Sequence, residues 1–307
     1  MTPRNQSSQH FVKLLALGAI ALSVTSAVVA QPRGFRGPQP AAVPEAVVMP
    51  RPNPDEIART AELLEEFKSG LNRSDRDMID RYRGMLEVRV PPANTAIIPN
   101  LAEFFQAKHE NNLAVAQAGD AELLLMGDSI TDFWRNEDGA FAGKPVLDEY
   151  FGHWNIANFG IAGDTTQGVL YRLQNGEGEG FNPRAVMLMI GTNNTRANNA
   201  GEIAEGVGAV VLLLQQHFPE AEILLLGIFP RGAASDPVRT QIAEINQIVS
   251  ALDDGDSVHY LDIGDVFLDA DGNIPSEIMS DGLHPGPAGY RRWAEAVERP
   301  LTELMAR

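Results

Sequence analysis

Glu122-Leu123-Leu124-Leu125-Met126-Gly127-Asp128-Ser129-Ile130-Thr131 passes from an unbroken apolar run into a glycine and a cluster of hydrogen-bonding side chains. An apolar run without polar alternation is a strand buried on both faces. Four more such runs follow at wide spacing: Asn155-Ile156-Ala157-Asn158, Ala185-Val186-Met187-Leu188-Met189-Ile190, Glu222-Ile223-Leu224-Leu225-Leu226 and Val258-His259-Tyr260-Leu261. Helical patterns occupy 166–173, 202–217, 237–252 and 287–305. Buried strands interleaved with helices form a parallel sheet covered on both sides, so the class is α/β with three layers, α/β/α. There is no internal repeat, and Gly176-Glu177-Gly178-Glu179-Gly180 reads as a short flexible loop.

Upstream of this domain the sequence changes character three times. Residues 1–30 carry Arg4, His10 and Lys13, then an apolar run from Leu14 to Ala30, built like a secretory signal peptide with a cleavage point before Gln31-Pro32. The run is on the short side for a bilayer, which needs about 20 residues; a retained anchor is the alternative. Residues 31–54 hold seven prolines and read as a linker that does not pack. In the helical extension 55–99, Ile57, Ala61, Leu64, Phe67 and Leu71 recur at helical spacing, and Ser74-Asp75-Arg76-Asp77 resembles a capping signal before Met78, Ile79, Tyr82 and Leu86. Apolar faces of this kind need cover, from the main domain or from a second copy of the chain. After Pro91-Pro92, the residues Leu101, Phe104, Phe105, His109, Leu113 and Ala116 suggest a third helix leading into the domain assigned to 100–307.

The whole chain of 307 residues has 24 Lys+Arg against 41 Asp+Glu, a net charge of −17. Loss of the leader removes Arg4 and Lys13 and leaves 22 against 41, or −19. That excludes a nucleic-acid binder acting through its bulk field and disfavours polyanions and anionic lipid surfaces. The absence of cysteine excludes disulfides, thiol nucleophiles and thiolate metal sites, so any nucleophile is oxygen or nitrogen. Export without cysteine fits a periplasmic or extracellular protein.

In a doubly wound sheet, ligands gather beyond the carboxyl ends of the strands. Four such places here are polar: Gly127-Asp128-Ser129-Ile130, Asn158-Phe159-Gly160-Ile161-Ala162-Gly163-Asp164, Gly191-Thr192-Asn193-Asn194 and, before the last helix, Ser280-Asp281-Gly282-Leu283-His284-Pro285. Singly, Ser129 reads as a helix cap, Gly163 as a permissive backbone position, Asn193 as a turn former and His284 as a loop residue. Their joint order, each at the end of its own strand or just before the last helix, is what points to chemistry. Asp128 and Asp164 read as loop and helix-start acceptors. Asp269-Ala270-Asp271-Gly272-Asn273 has its glycine at the wrong place for a calcium loop and reads as a turn. Asn72-Arg73-Ser74 matches a glycosylation pattern, and Trp134, Trp154 and Trp293 could meet sugar rings, with core packing the safer reading.

The four stretches together resemble the SGNH (GDSL-type) hydrolase family, and the wording between them, Leu170-Tyr171-Arg172-Leu173 with Asn175-Gly176-Glu177 and Gly227-Ile228-Phe229-Pro230-Arg231-Gly232, resembles its platelet-activating-factor acetylhydrolase-like branch. The carriers are GDSIT at 127–131, NFGIAGDTT at 158–166, GTNN at 191–194 and DGLHP at 281–285, and the likeness spans roughly 109–305. Where broader GDSL members often carry a glycine a few residues after the first motif, this chain has Asp132-Phe133-Trp134; the acetylhydrolase-like branch also lacks that glycine, so the departure bears on subfamily and not on catalysis. The resemblance implies a flavodoxin-like sheet of order 2-1-3-4-5 and a serine esterase. Its triad would be Ser129, His284 and Asp281, and its oxyanion hole the backbone N–H groups of Ser129 and Gly163 with the Asn193 side chain. No metal or other cofactor is implied. The expected substrate is a small-molecule or glycan ester carrying a short acyl group, acetyl above all. A phospholipid or lysophospholipid deacylase is the alternative, and a non-catalytic glycan-binding protein on the same fold is the alternative outside enzymes. No nucleic-acid partner and no stable membrane insertion of the mature chain are expected; a homo-oligomer is left open.

Overall fold

The computed structural model describes residues 38–86 and 92–307. The signal-peptide reading of 1–30, and the proline-rich stretch as far as residue 37, lie outside them. In chain order the helices are α1 (Pro54–Ser69), α2 (Arg73–Arg81), α3 (Arg83–Leu86), α4 (Gln106–Ala118), α5 (Ser129–Asp132), α6 (Lys144–Phe151), α7 (Thr166–Arg172), α8 (Ala200–His217), α9 (Pro237–Val249) and α10 (Pro287–Met305). The strands are β1 (Leu123–Gly127), β2 (Ile156–Asn158), β3 (Ala185–Met189), β4 (Glu222–Leu226) and β5 (Val258–Leu261). All are parallel in the order β2-β1-β3-β4-β5, as the sequence predicts.

Successive residues of a strand face opposite sides of its sheet, and the core divides accordingly. Leu124, Met126, Val186, Leu188, Ile223 and Leu225 pack against Val169, Leu170, Val207 and Val210 of α7 and α8. Leu123, Leu125, Met187, Met189, Leu224 and Leu226 pack against Leu147 and Phe151 of α6 and against Tyr290, Trp293 and Val297 of α10. Trp134 and Trp293 lie within this second core, 5.0 Å apart between ring centroids, and are unavailable to a ligand. The register aligns Gly127 with Met189, so β1 and β3 end side by side. No helix among the described residues is long and apolar enough to cross a membrane.

The proline-rich stretch corrects the expectation of a linker that does not pack. Val47 is buried in the first core, and a Cβ on Gly208 of α8 would meet its Cγ2 at 2.5 Å, so this strap lies directly on the helix backbone. Apart from one 3-10 turn at Glu45–Val47, the prolines limit internal hydrogen bonding in this segment, which leaves its groups to bond elsewhere. Here the partner is Glu205 of α8, fully buried, whose carboxylate accepts from the Met49 N–H at 2.9 Å, from Arg51 Nη1 at 2.7 Å and from Asn94 Nδ2 at 2.8 Å.

Helices α1 to α3 bury no residue. They are linked by Lys68 to Asp80 at 2.6 Å, while Leu63, Met78, Tyr82, Met85 and Leu86 face solvent. Cover for this segment from the main domain is therefore incomplete. The cap of α2 is Asn72, which accepts from the Asp75 N–H, two residues earlier than Ser74. Gly176–Gly180 is likewise no free loop: Glu177 is fully buried.

Candidate active site

Ser129 is the first residue of α5 and follows β1 after a single residue. That residue, Asp128, caps the helix by accepting the Ile130 N–H at 3.0 Å, which turns the chain sharply and leaves the Ser129 N–H at the helix start without an intrahelical partner. The loop before α10 brings His284 to it. His284 Nε2 stands 2.9 Å from Ser129 Oγ, and Nδ1 stands 2.7 Å from Asp281 Oδ2.

The Asp-x-x-His spacing works because the loop folds over the carboxylate. Asp281 Oδ1 accepts the backbone N–H groups of Leu283 at 3.0 Å and His284 at 2.8 Å, leaving Oδ2 for the ring. Partial burial works to raise the Asp281 carboxyl, but the N–H of His284, its ring N–H and the N–H of Leu283 outweigh it and hold it below the ordinary value. An acceptor of that kind keeps the proton on Nδ1 and leaves Nε2 free to take one from Ser129. The rings of Phe133 and Phe141 pack at 5.0 and 5.3 Å from the imidazole and shield it from water.

Gly163 and Asn193 arrive from the neighbouring strand ends. Gly163 has φ of +88°, a conformation that L side chains rarely adopt, and its N–H finds no acceptor among the described residues. Asn193 sits in the turn after β3; its Nδ2 donates to the Asp164 carbonyl at 2.8 Å, which uses one of the two amide N–H bonds and leaves the other. The Thr166 N–H to Asn194 Oδ1 bond, 3.0 Å, ties the same two loops again. The structure thus joins Asp281, His284 and Ser129 in one chain of hydrogen bonds, and ties the loops of Gly163 and Asn193 to each other at the neighbouring strand ends; a hydroxyl on an imidazole with N–H donors from adjoining loops is an arrangement suited to acyl transfer.

The GDSL-like lipase/acylhydrolase family model matches residues 125–292. The chain belongs to that family. The hydrolase is 34% identical over 220 residues to the platelet-activating factor acetylhydrolase IB subunit alpha2 of Rattus norvegicus, covering 69% of this chain and 91% of the relative. It is 33% identical over 199 residues to the human alpha1 subunit, with 64% and 83% covered. Its fold matches a GDSL-like lipase structure from Bacteroides thetaiotaomicron with a TM-score of 0.50 at 18% identity, covering 65% of this chain and 97% of the other. The protein is thus a serine ester hydrolase of the GDSL type.

Two groups of residues around this hydrolase's site escape sequence reasoning. Asp164 and Glu177 are both paired with Arg172, at 2.8 Å from Nη2 to Asp164 Oδ2, and all three are fully buried. His109 Nδ1 meets the far oxygen of Glu177 at 2.8 Å. The signal was an arginine in the apolar run Val169-Leu170-Tyr171-Arg172-Leu173, a charge where the helix faces the core. The second group surrounds Asp132, which was noted only as a departure from the family's motif.

Proposed function

We propose that the protein is an exported acylesterase whose nucleophile is Ser129, with His284 as general base and then acid, Asp281 as the group that orients it, and Ser129 N–H, Gly163 N–H and Asn193 Nδ2 as oxyanion donors. The observation that carries this reading is the continuous pairing of Asp281, His284 and Ser129 at 2.7 and 2.9 Å; the bond of Asn193 to the Asp164 carbonyl, which ties the two neighbouring donor loops together, supports it. A merely structural serine needs none of these partners.

In this reading Ser129 Oγ attacks the ester carbonyl as its proton passes to His284 Nε2. The carbonyl oxygen becomes an oxyanion and takes hydrogen bonds from the three donors. Collapse expels the alcohol, which takes the proton from Nε2, and leaves an acyl group on Ser129. Water then attacks, giving its proton to Nε2, and the carboxylic acid departs as that proton returns to Ser129. Asp281 keeps its charge throughout and stabilises the imidazolium.

The proposed substrate is a short acyl ester, chiefly acetyl, on a carbohydrate. Support for acetyl comes from relatives named as acetylhydrolases; support for a neutral glycan comes from the net charge of −17, which repels anionic surfaces. The leader-like residues 1–30 support export. The relatives' names also favour a second reading, an acetylated phospholipid. Acetate release from acetylated oligosaccharides, set beside a 2-acetyl glycerophospholipid, tests both: faster turnover of the lipid overturns the glycan assignment, and inertness toward every ester supports a binding protein.

A further inference from the structure

The four residues of α5 begin with Ser129 and end with Asp132, whose side chain turns inward and is slightly more buried than the serine. Its Oδ2 accepts the Ala162 N–H at 2.8 Å and also meets Lys108 of α4; its Oδ1 lies 3.1 Å from Arg135 Nη2. Arg135 in turn donates to the carbonyls of Asn158, at 3.1 Å, and Gly160. Through Asp132 and Arg135 the loop from Asn158 to Ala162 is therefore tied to the nucleophile helix and to the turn that follows it. Ala162 immediately precedes Gly163, and Asp164, which follows it, has its carbonyl held by Asn193. The peptide carrying the Gly163 N–H is gripped on either side.

We infer that Asp132 is a positioning residue that sets the Gly163 N–H relative to Ser129, so that the two backbone donors of the oxyanion hole are held at a fixed separation by a single short helix. The inference rests on the reading of Ser129 and Gly163 given above. Carboxylate acceptance is charge-assisted and roughly twice as strong as a neutral hydrogen bond, which suits a carboxylate in this place. Lys108 and Arg135 are half-exposed and neutralise it, so the grip needs no uncompensated buried charge. Lys108 lies outside the residues matched by the family model, and the grip is in part a contribution of α4.

Displacing a transition-state donor by about 1 Å costs up to ~100-fold in rate without weakening ground-state binding in proportion. Asp132→Ala is expected to lower kcat on 4-nitrophenyl acetate by about 10- to 100-fold with KM within about twofold. Asp132→Asn, which keeps the volume and a neutral acceptor for the Ala162 N–H, is expected to fall in between. Affinity for a trifluoromethyl ketone, which adds to Ser129 and forms an oxyanion in the same hole, should fall by the same factor as kcat/KM in each variant, whereas inhibition by product acetate should not change. Thermal midpoints of both variants identify the folded fraction, and Asp132→Asn serves if the alanine variant does not fold. If the folded variants keep kcat and ketone affinity within twofold of the parent, Asp132 is only a buried ion-pair member and the inference is wrong. Ser129→Ala run in parallel separates the two claims: an active Ser129→Ala overturns the catalytic reading itself, whereas an inactive one beside an unaffected Asp132→Asn overturns the positioning role alone.

Discussion

Arg51 stands 154 positions before Glu205, yet its guanidinium closes with both terminal nitrogens on that one carboxylate. Asn94 reaches the same carboxylate from the far side of the segment that holds α1 to α3. The described chain on either side of α1 to α3 is therefore anchored at a single buried acid. Removing one partner of a buried, hydrogen-bonded charge strands the others, so Glu205→Ala should destabilise the protein by about 3 kcal/mol or more. Replacing 54–91 by a short flexible linker should cost far less than deleting 38–53, which carries Val47 and Arg51. Urea midpoints of the three variants decide it; equal midpoints for the two deletions would mean that the strap contributes nothing.

Ser129→Ala should abolish ester hydrolysis, with a loss of ~10⁴-fold or more in kcat, while the thermal midpoint hardly moves. The substitution removes one hydroxyl hydrogen bond to His284 and no core volume. Residual activity within tenfold of the parent would remove Ser129 from the mechanism.

Arg172→Met should be among the most damaging single changes in the chain. It preserves much of the side-chain volume but leaves Asp164 and Glu177 buried and facing each other without a cation, a loss of about 3 to 5 kcal/mol. Calorimetry at neutral pH measures it, and a midpoint within a degree or two of the parent would contradict the role of the pair.

These outcomes separate what a sequence displays from what it conceals. The five strands were legible because Leu123–Met126 and its counterparts are apolar without alternation, a local property. The strand order and the pairing of Ser129 with His284 were legible through the family resemblance, carried by motifs at three strand ends and before the last helix. Arg51 and Glu205, or Lys108 and Asp132, carry no such mark: each is an ordinary charged residue until the fold pairs it with a partner far along the chain. Proline-rich composition misled for a related reason, since it reports how few internal hydrogen bonds residues 38–53 can make and says nothing of Glu205, which accepts from them at long range.

Asp128 gives the protein a pH dependence of defined sign. Complete burial, opposed by the Ile130 N–H and reinforced by Asp164, pushes its carboxyl from 3.8 up to about 7, and its Oδ2 has no hydrogen-bond partner. Between those two values the folded protein keeps a proton that the unfolded chain has released. Stability from this group is therefore full below about pH 4, falls as pH rises toward 7 and is lost above it, by at most about 4 kcal/mol. Asp128→Asn, which cannot ionise and can still accept from Ile130, should flatten that part of the curve. Thermal midpoints measured from pH 4.5 to 8.5 provide the check; identical slopes for the parent and the variant would place the charge elsewhere.

Asn193 offers the sharpest distinction between a catalytic and a supporting role. Its amide is oriented by the bond to the Asp164 carbonyl, and Asp164 is itself fixed by Arg172, so the remaining N–H has a set direction before substrate arrives. A donor preorganised in this way acts where negative charge develops, strengthening its bond in the transition state more than in the ground state. Asn193→Ala should therefore reduce kcat by ~10²- to 10³-fold, about 3 to 4 kcal/mol, with little change in KM. If Asn193 served only to tie the loop after β3 to Asp164, the same substitution would lower the unfolding midpoint and raise KM while the folded fraction turned over normally. Measuring kcat, KM and the midpoint on one preparation distinguishes these cases, and near-normal kcat would leave the oxyanion to the two backbone donors.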